Sequence, residues 1–306
     1  MRRLLALALL ATAGCAGFMF STPRPLAHRI EHPRRDDARL AVLWIGHATA
    51  LVQMDDRFVL TDPFFTSSAG EVSVRLQEPG LDPANLPPLD AVVVSHMHFD
   101  HLSLGSLDAI EGKTRRLFVP RGGTVYIPNY AFEVRELSTW ASFEEHGLRV
   151  TAVPVKHVGF RYGVDAAWMT DTFTGYVFEY HGLTVYFAGD TAYDADRFRA
   201  TAAVFPRIDL ALIPIAPIHP RQYMEATHVD PAEALRAFLD LGARTMVPIH
   251  FDTLVNGFDT PGEARATLQR EMRSRGLGED RIRILPIGGQ AVIIGLPDAG
   301  ALPVSP

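Results

Sequence analysis

From Leu40 to Ile294 the chain alternates short apolar runs with turn signals, a pattern that predicts strands more often than helices. Strands are expected at Leu40–Trp44, Ala50–Met54, Arg57–Thr61, Ala91–Ser95, Leu117–Val119, Arg149–Pro154, Gly175–Tyr180, Leu183–Ala188, Leu210–Pro214, Arg244–Pro248 and Ala291–Ile294. Asp55-Asp56 and His181-Gly182 separate neighbouring runs by two residues, the spacing of an antiparallel hairpin. Helical patterns are fewer. Asp230-Pro231-Ala232-Glu233 places an N-cap, a first-turn proline and a capping-box glutamate ahead of a helix that runs to Leu241 and stops at Gly242. Leu104–Ile110, Ala195–Val204 and Pro261–Arg275 carry further helical patterns. Strand-rich halves with helices between them imply an α/β fold of two sheets packed face to face, helices outside. No internal repeat or linker splits residues 39–296, so one domain is expected there, with 297–306 as a tail.

Composition changes this picture only at the ends. The chain has 306 residues, 47% hydrophobic, enough for a single large core. Its formal net charge of −6 argues against a nucleic-acid partner, which would need clustered Lys and Arg. Arg2 and Arg3 precede an apolar run from Leu4 to Ala11 and then small residues, the pattern of an export signal over residues 1–15. Cys15, the single cysteine, excludes an internal disulfide. Its place after Thr12-Ala13-Gly14 resembles a bacterial lipobox, which implies a lipid anchor at Cys15, a membrane-surface partner and a periplasmic or envelope location. Residues 16–38, rich in Pro and charge, read as a tether and surface arm.

The chemistry concentrates in VVVSHMHFDHLS, from Val92 to Ser103. A buried strand ends, and His96, His98, Asp100 and His101 follow where ligands bind at the carboxyl ends of strands. His96 and His98 alternate, so an extended segment points both the same way. Imidazole and carboxylate together suit Zn²⁺, with Mn²⁺ or iron as other metals for such a donor set. Three more ligand-type residues emerge after apolar runs: His157, Asp190 and His250. Five histidines and two aspartates suffice for two adjacent cations, which can activate a water near neutral pH.

HxHxDH at His96–His101, with His157, Gly189-Asp190 and His250, resembles the metallo-β-lactamase superfamily from about Leu40 to Ile294. The resemblance implies an αββα sandwich with the site along one edge. It also implies two zinc ions, one held by His96, His98 and His157, the other by Asp100, His101 and His250, with Asp190 bridging. The runs at Trp44–Phe65, Leu86–Ser103, Tyr186–Tyr193 and His228–Phe238 resemble the N-acyl-phosphatidylethanolamine-hydrolysing phospholipase D group and the ascorbate-6-phosphate lactonase-like proteins. Pro214–Pro231 leans toward the phospholipase side, whereas Val158 and Phe251 stand where that group carries tryptophan.

Zinc-dependent hydrolysis of a phosphodiester, in a phospholipid or a small molecule, is therefore the leading expectation, with a lactone or carboxylic ester as the alternative substrate. A non-hydrolytic metal or redox protein is the reading from another class. Asp100 is expected to act in catalysis, and His228, fixed ahead of the Asp230 cap, to protonate the leaving group. His47 and Asp62 end strands and could touch substrate or orient a ligand histidine. Arg221 and Tyr223 could grip a phosphate. The aromatics of Arg161–Phe173 read as core beneath a loop, ahead of an apolar groove or a membrane-facing segment.

Overall fold

The computed structural model describes residues 22–70, 73–255 and 257–297; Cys15 and the expected signal lie outside them. In chain order the strands are β1 (Ala38–Gly46), β2 (Thr49–Met54), β3 (Arg57–Thr61), β4 (Ser68–Ala69), β5 (Ser73–Val74), β6 (Ala91–Val93), β7 (Arg116–Pro120) and β8 (Glu133–Leu137). There follow β9 (Ser142–Glu145), β10 (Leu148–Val153), β11 (Gly175–Tyr180), β12 (Leu183–Phe187), β13 (Leu210–Pro214), β14 (Thr245–Ile249) and β15 (Gln290–Gly295). The helices are α1 (Leu104–Ile110), α2 (Ala195–Val204), α3 (Arg221–Met224), α4 (Pro231–Asp240) and α5 (Glu263–Ser274).

Seven strands form one mixed sheet in the order β15-β1-β2-β3-β6-β7-β8, and six form a second, β14-β13-β12-β11-β10-β9. Strand periodicity explains how they pack. Leu40, Val42 and Trp44 face the second sheet and join its Val150, Ala152, Tyr176 and Phe178 in one core. Leu43 and Ile45, one position out of phase, turn to the other face and pack with Leu107 and Ile110 of α1. Val92 and Val94 likewise face α1 while Val93 faces the sandwich. Both faces of the first sheet are covered, which is why its strands read as nearly continuous apolar runs. Phe198 of α2, Phe238 of α4 and Leu268 of α5 join the inter-sheet cluster from the second sheet's side. The result is the α/β sandwich that the patterning predicts.

Two edge strands, β8 (EVREL) and β9 (SFEE), have no counterpart in the apolar pattern. Both are largely solvent-facing, and charged residues on a sheet edge leave no period-two apolar signal. The α4 start matches expectation in detail: Asp230 accepts the Glu233 N–H at 2.8 Å, and the Glu233 side chain returns to the Asp230 N–H. The arm crosses the surface through bridges of Arg24 to Gln77 and Ile30 to Leu81. No helix among the described residues is long and apolar enough to cross a membrane.

Strand direction positions the site. β12 runs parallel to β13 and β14, and β10 is related to β12 through two antiparallel pairings, so β10, β12 and β14 all finish at one edge. His157, Asp190 and His250 follow those three ends. The segment after β6 is drawn to the same edge by the Thr174 N–H, which donates to Ser95 O at 2.8 Å, and by the Tyr176 hydroxyl, which donates to Val94 O at 2.9 Å.

Candidate metal centre

His96, His98 and His157 bring one donor atom each to within 4.8 Å of one another, as do Asp100, His101, His250 and His47; a third such group joins His96 and His101 to Asp190. The seven residues singled out in the sequence thus meet at one place, in two lobes with Asp190 between them. The first lobe is purely imidazole; the second is acidic.

Hydrogen bonds fix which nitrogen each histidine presents. Carbonyl oxygens only accept, so His157 Nδ1–H donates to Thr227 O at 2.9 Å and His250 Nδ1–H to Ala216 O at 3.0 Å. His101 Nδ1–H donates to Asp62 Oδ2 at 2.6 Å. The Ser95 hydroxyl gives its proton to Asp62 at 2.6 Å, so it accepts from His96 Nδ1–H at 3.0 Å. All four imidazoles therefore turn Nε2 inward, and those of His96 and His157, whose rings stay neutral, are bare. His98 enters by its other nitrogen, Nδ1, only 2.8 Å from His96 Nε2.

Such a crowd of acceptors is unfavourable unless a cation lies among them. His157 Nε2, Asp190 Oδ1 and His228 Nδ1 are buried with no hydrogen-bond partner, and each orphaned polar atom in a dry site is costly. His101 Nε2 lies 3.2 Å from Asp190 Oδ2 and 3.6 Å from Asp100 Oδ2. Burial opposes charging His101, yet Asp190, Asp100 and Asp62 outweigh it and hold its pKa well above the usual value. In the imidazole lobe the balance is reversed: burial and neighbouring histidines push His96 and His157 well below theirs. Burial would raise Asp100 and Asp190, but the surrounding histidines keep both carboxylates ionised. The donor set fits divalent cations.

His47 is more than a turn residue. It is buried, its Nε2 lies 2.9 Å from Asp100 Oδ2, and burial lowers its pKa to about 3. His47 (φ 56°), Asp62 (φ 32°) and His250 (φ 66°) all occupy left-handed backbone, a costly conformation that here aims three side chains into one site. Asp62 binds Ser95 and His101 together, and so orients ligand-type residues of both lobes. Gly189 (φ 58°) is required because a Cβ there would sit 2.3 Å from Ser95 Cβ.

His228 stands between the lobes, with Nδ1 3.5 Å from Asp190 Oδ2 and its ring 5.2 Å from that of His157. Burial lowers its pKa to about 4. Two expectations need correction. Arg221 is not free to grip a phosphate, because it pairs with Glu233 and donates to His228 O at 2.9 Å, so it steadies the His228 segment. Tyr223 is exposed. The Arg161–Phe173 aromatics are not core: Tyr162 and Trp168 are 61% and 65% exposed, while Met169 is buried. The loop turns them outward because Asp165 accepts the Arg161 and Tyr162 N–H groups, both at 2.8 Å.

Sequence reasoning missed Ser95, the carbonyls of Thr227 and Ala216, and Arg161. Arg161 donates to Met97 O at 2.9 Å and Leu102 O at 2.8 Å, bracketing the ligand run. Only Ser95, adjacent to the motif, left a readable signal; the carbonyl partners come from distant loops.

A two-sheet sandwich with histidines and aspartates gathered at one edge defines a metallohydrolase-type fold. The chain belongs to the metallo-β-lactamase superfamily: the family model described as "Beta-lactamase superfamily domain" matches residues 57–251. Among curated relatives, an uncharacterized Mycobacterium tuberculosis protein is 34% identical over 76% of this chain and 64% of its own length. N-acyl-phosphatidylethanolamine-hydrolyzing phospholipase D 1 of Caenorhabditis elegans is 31% identical over 72% of this chain and 66% of its own. A UPF0173 metal-dependent hydrolase of Methanoregula boonei is 30% identical over 74% and 90%. The chain thus spans just under two thirds of the length of the first two relatives. Among solved structures, an isothiocyanate hydrolase from Delia radicum gut bacteria superposes with a TM-score of 0.66 at 20% identity, covering 84% of this chain and all of that one.

Proposed function

We propose that the protein is a metal-dependent phosphodiester hydrolase acting on a phospholipid or related diester. The observation that carries the hydrolytic reading is the set of inward-facing nitrogens and buried, partnerless polar atoms shared by His157, Asp190 and His228. His96, His98 and His157 would hold one cation, Asp100, His101 and His250 a second, with Asp190 shared; two zinc ions suit these donors. Bound there, the cations would supply Lewis acidity and an activated water.

The chain's own groups do the rest. Thr227 O, Ala216 O and Asp62 keep the donor nitrogens aimed inward. His47 holds the Asp100 carboxylate through its Nε2. His228 rests as a neutral imidazole, since burial lowers its pKa to about 4. Its Nδ1 faces the Asp190 carboxylate and so carries the ring's one proton, which leaves a bare Nε2 to take the proton released by the attacking water and pass it to the leaving oxygen, with Asp190 stabilising the transient imidazolium. The phospholipid class is supported by the likeness to the Caenorhabditis elegans phospholipase D and by the HVDP run at His228–Pro231. Export, with lipid anchoring at Cys15, belongs to the same reading and would bring the site to a membrane surface.

The test is turnover of bis(p-nitrophenyl) phosphate and of N-acyl-phosphatidylethanolamine vesicles by metal-replete protein, with simple lactones beside them. Phosphodiester cleavage that falls sharply in His228→Ala while metal content holds is expected. Lactone cleavage alone would overturn the substrate class, and no hydrolysis of either would overturn the hydrolase.

A further inference from the structure

A chamber of about 310 Å³ shares two wall residues, His47 and His250, with the acidic lobe. Its other walls include Leu76, Ala216, Phe251, Leu254, Val255 and Ala264. The polar groups that reach it are already engaged within the protein. Asp259 accepts the Ile218 and His219 N–H groups, both at 2.7 Å. Asp252 accepts the Gly262 N–H at 2.7 Å, and Thr253 Oγ1 accepts from His47 N–H at 2.7 Å while donating to Phe251 O at 3.1 Å. What remains for a ligand is an apolar lining that borders the centre at two histidines. Its volume lies within the range of small-molecule sites, toward the small end.

We propose that this chamber is the subsite for a hydrocarbon arm of the substrate, holding it while the ester beside His47 and His250 reacts. The proposal rests on the hydrolytic reading above. It adds a chain-length preference, because an apolar chamber rewards each methylene that leaves water and offers nothing to a polar arm.

Calorimetric binding of methyl-, butyl- and octylphosphonate to metal-loaded protein tests it without turnover. Each buried methylene strengthens binding about fourfold, so affinity should climb by more than about tenfold along the series. Ala264→Phe, on the chamber wall, should flatten that climb while methylphosphonate still binds. Should that variant fail to fold by circular dichroism, Val255→Trp, at the 36% exposed rim, makes the same measurement. Equal affinities along the wild-type series would overturn the chamber, as would a climb equally steep in the folded variants. A climb without phosphodiester turnover would leave the chamber standing and overturn the substrate class alone.

Discussion

The two lobes of the centre use the same side chains under opposite electrostatics. His96, His98 and His157 carry no carboxylate of their own, and burial holds all three imidazoles below their usual pKa. His101, one turn away, meets Asp62, Asp100 and Asp190 and is driven the other way. Near neutral pH, one lobe offers neutral nitrogens and the other offers negative charge. The acidic lobe should therefore take its cation first and more tightly.

Asp190 is the only carboxylate grouped with donors of both lobes among the described residues, so Asp190→Ala should abolish the two-metal stoichiometry and reduce hydrolysis to background, checked by elemental analysis and assay. His98→Ala is the next sharpest instrument. It should cost the weaker equivalent while the acidic lobe still binds one metal, and loss of both would break the proposed asymmetry. Asp62→Asn should weaken binding in the acidic lobe by about 10- to 100-fold, whereas Ser95→Ala, which removes a longer and uncharged contact to His96, should cost less than about tenfold. Competition with a chromophoric chelator separates the two.

The smallest effect is one of pH on the metal-free protein. His47 and His228, held near 3 and 4, stay neutral when folded, as do His96 and His157. In the unfolded chain they return to about 6.5 and take up protons. Below that pH the unfolded state binds more protons, so stability is present above about 6.5 and falls with pH toward their folded values. His101 has the opposite sign: its raised pKa contributes stability that is complete below about 6.5 and fades as pH rises through its folded value. Urea melts of chelated protein should show lower stability at pH 5 than at pH 7, and His101→Phe should steepen that loss.

What was legible in the sequence follows from the same physics. Strands covered on both faces announced themselves, and so did ligands at their tips, because apolar runs ending in His or Asp are conspicuous. Edge strands β8 and β9 did not, since solvent-facing charge carries no period. The partners that fix the role of Asp62, Ser95 and His101, lie more than thirty residues away, so the strand-ending Asp-Pro alone does not show it. Arg221 looked available because nothing local shows that Glu233, a turn into the next helix, claims it. The outward aromatics of the Tyr162–Trp168 loop leave no mark in the sequence, because composition cannot tell a loop folded inward from one held outward by Asp165.

Ser95 meets Thr174 through its carbonyl and Gly189 by close approach, so the two sheets are fastened to each other where the donors converge. The donors themselves come from both halves of the chain, His96 to His101 from one and His157 to His250 from the other. A chain emerging from synthesis owns no complete site until β14 has joined its sheet. Capture of the ion then acts as a quality inspection, since only a molecule with both halves docked can gain its binding energy.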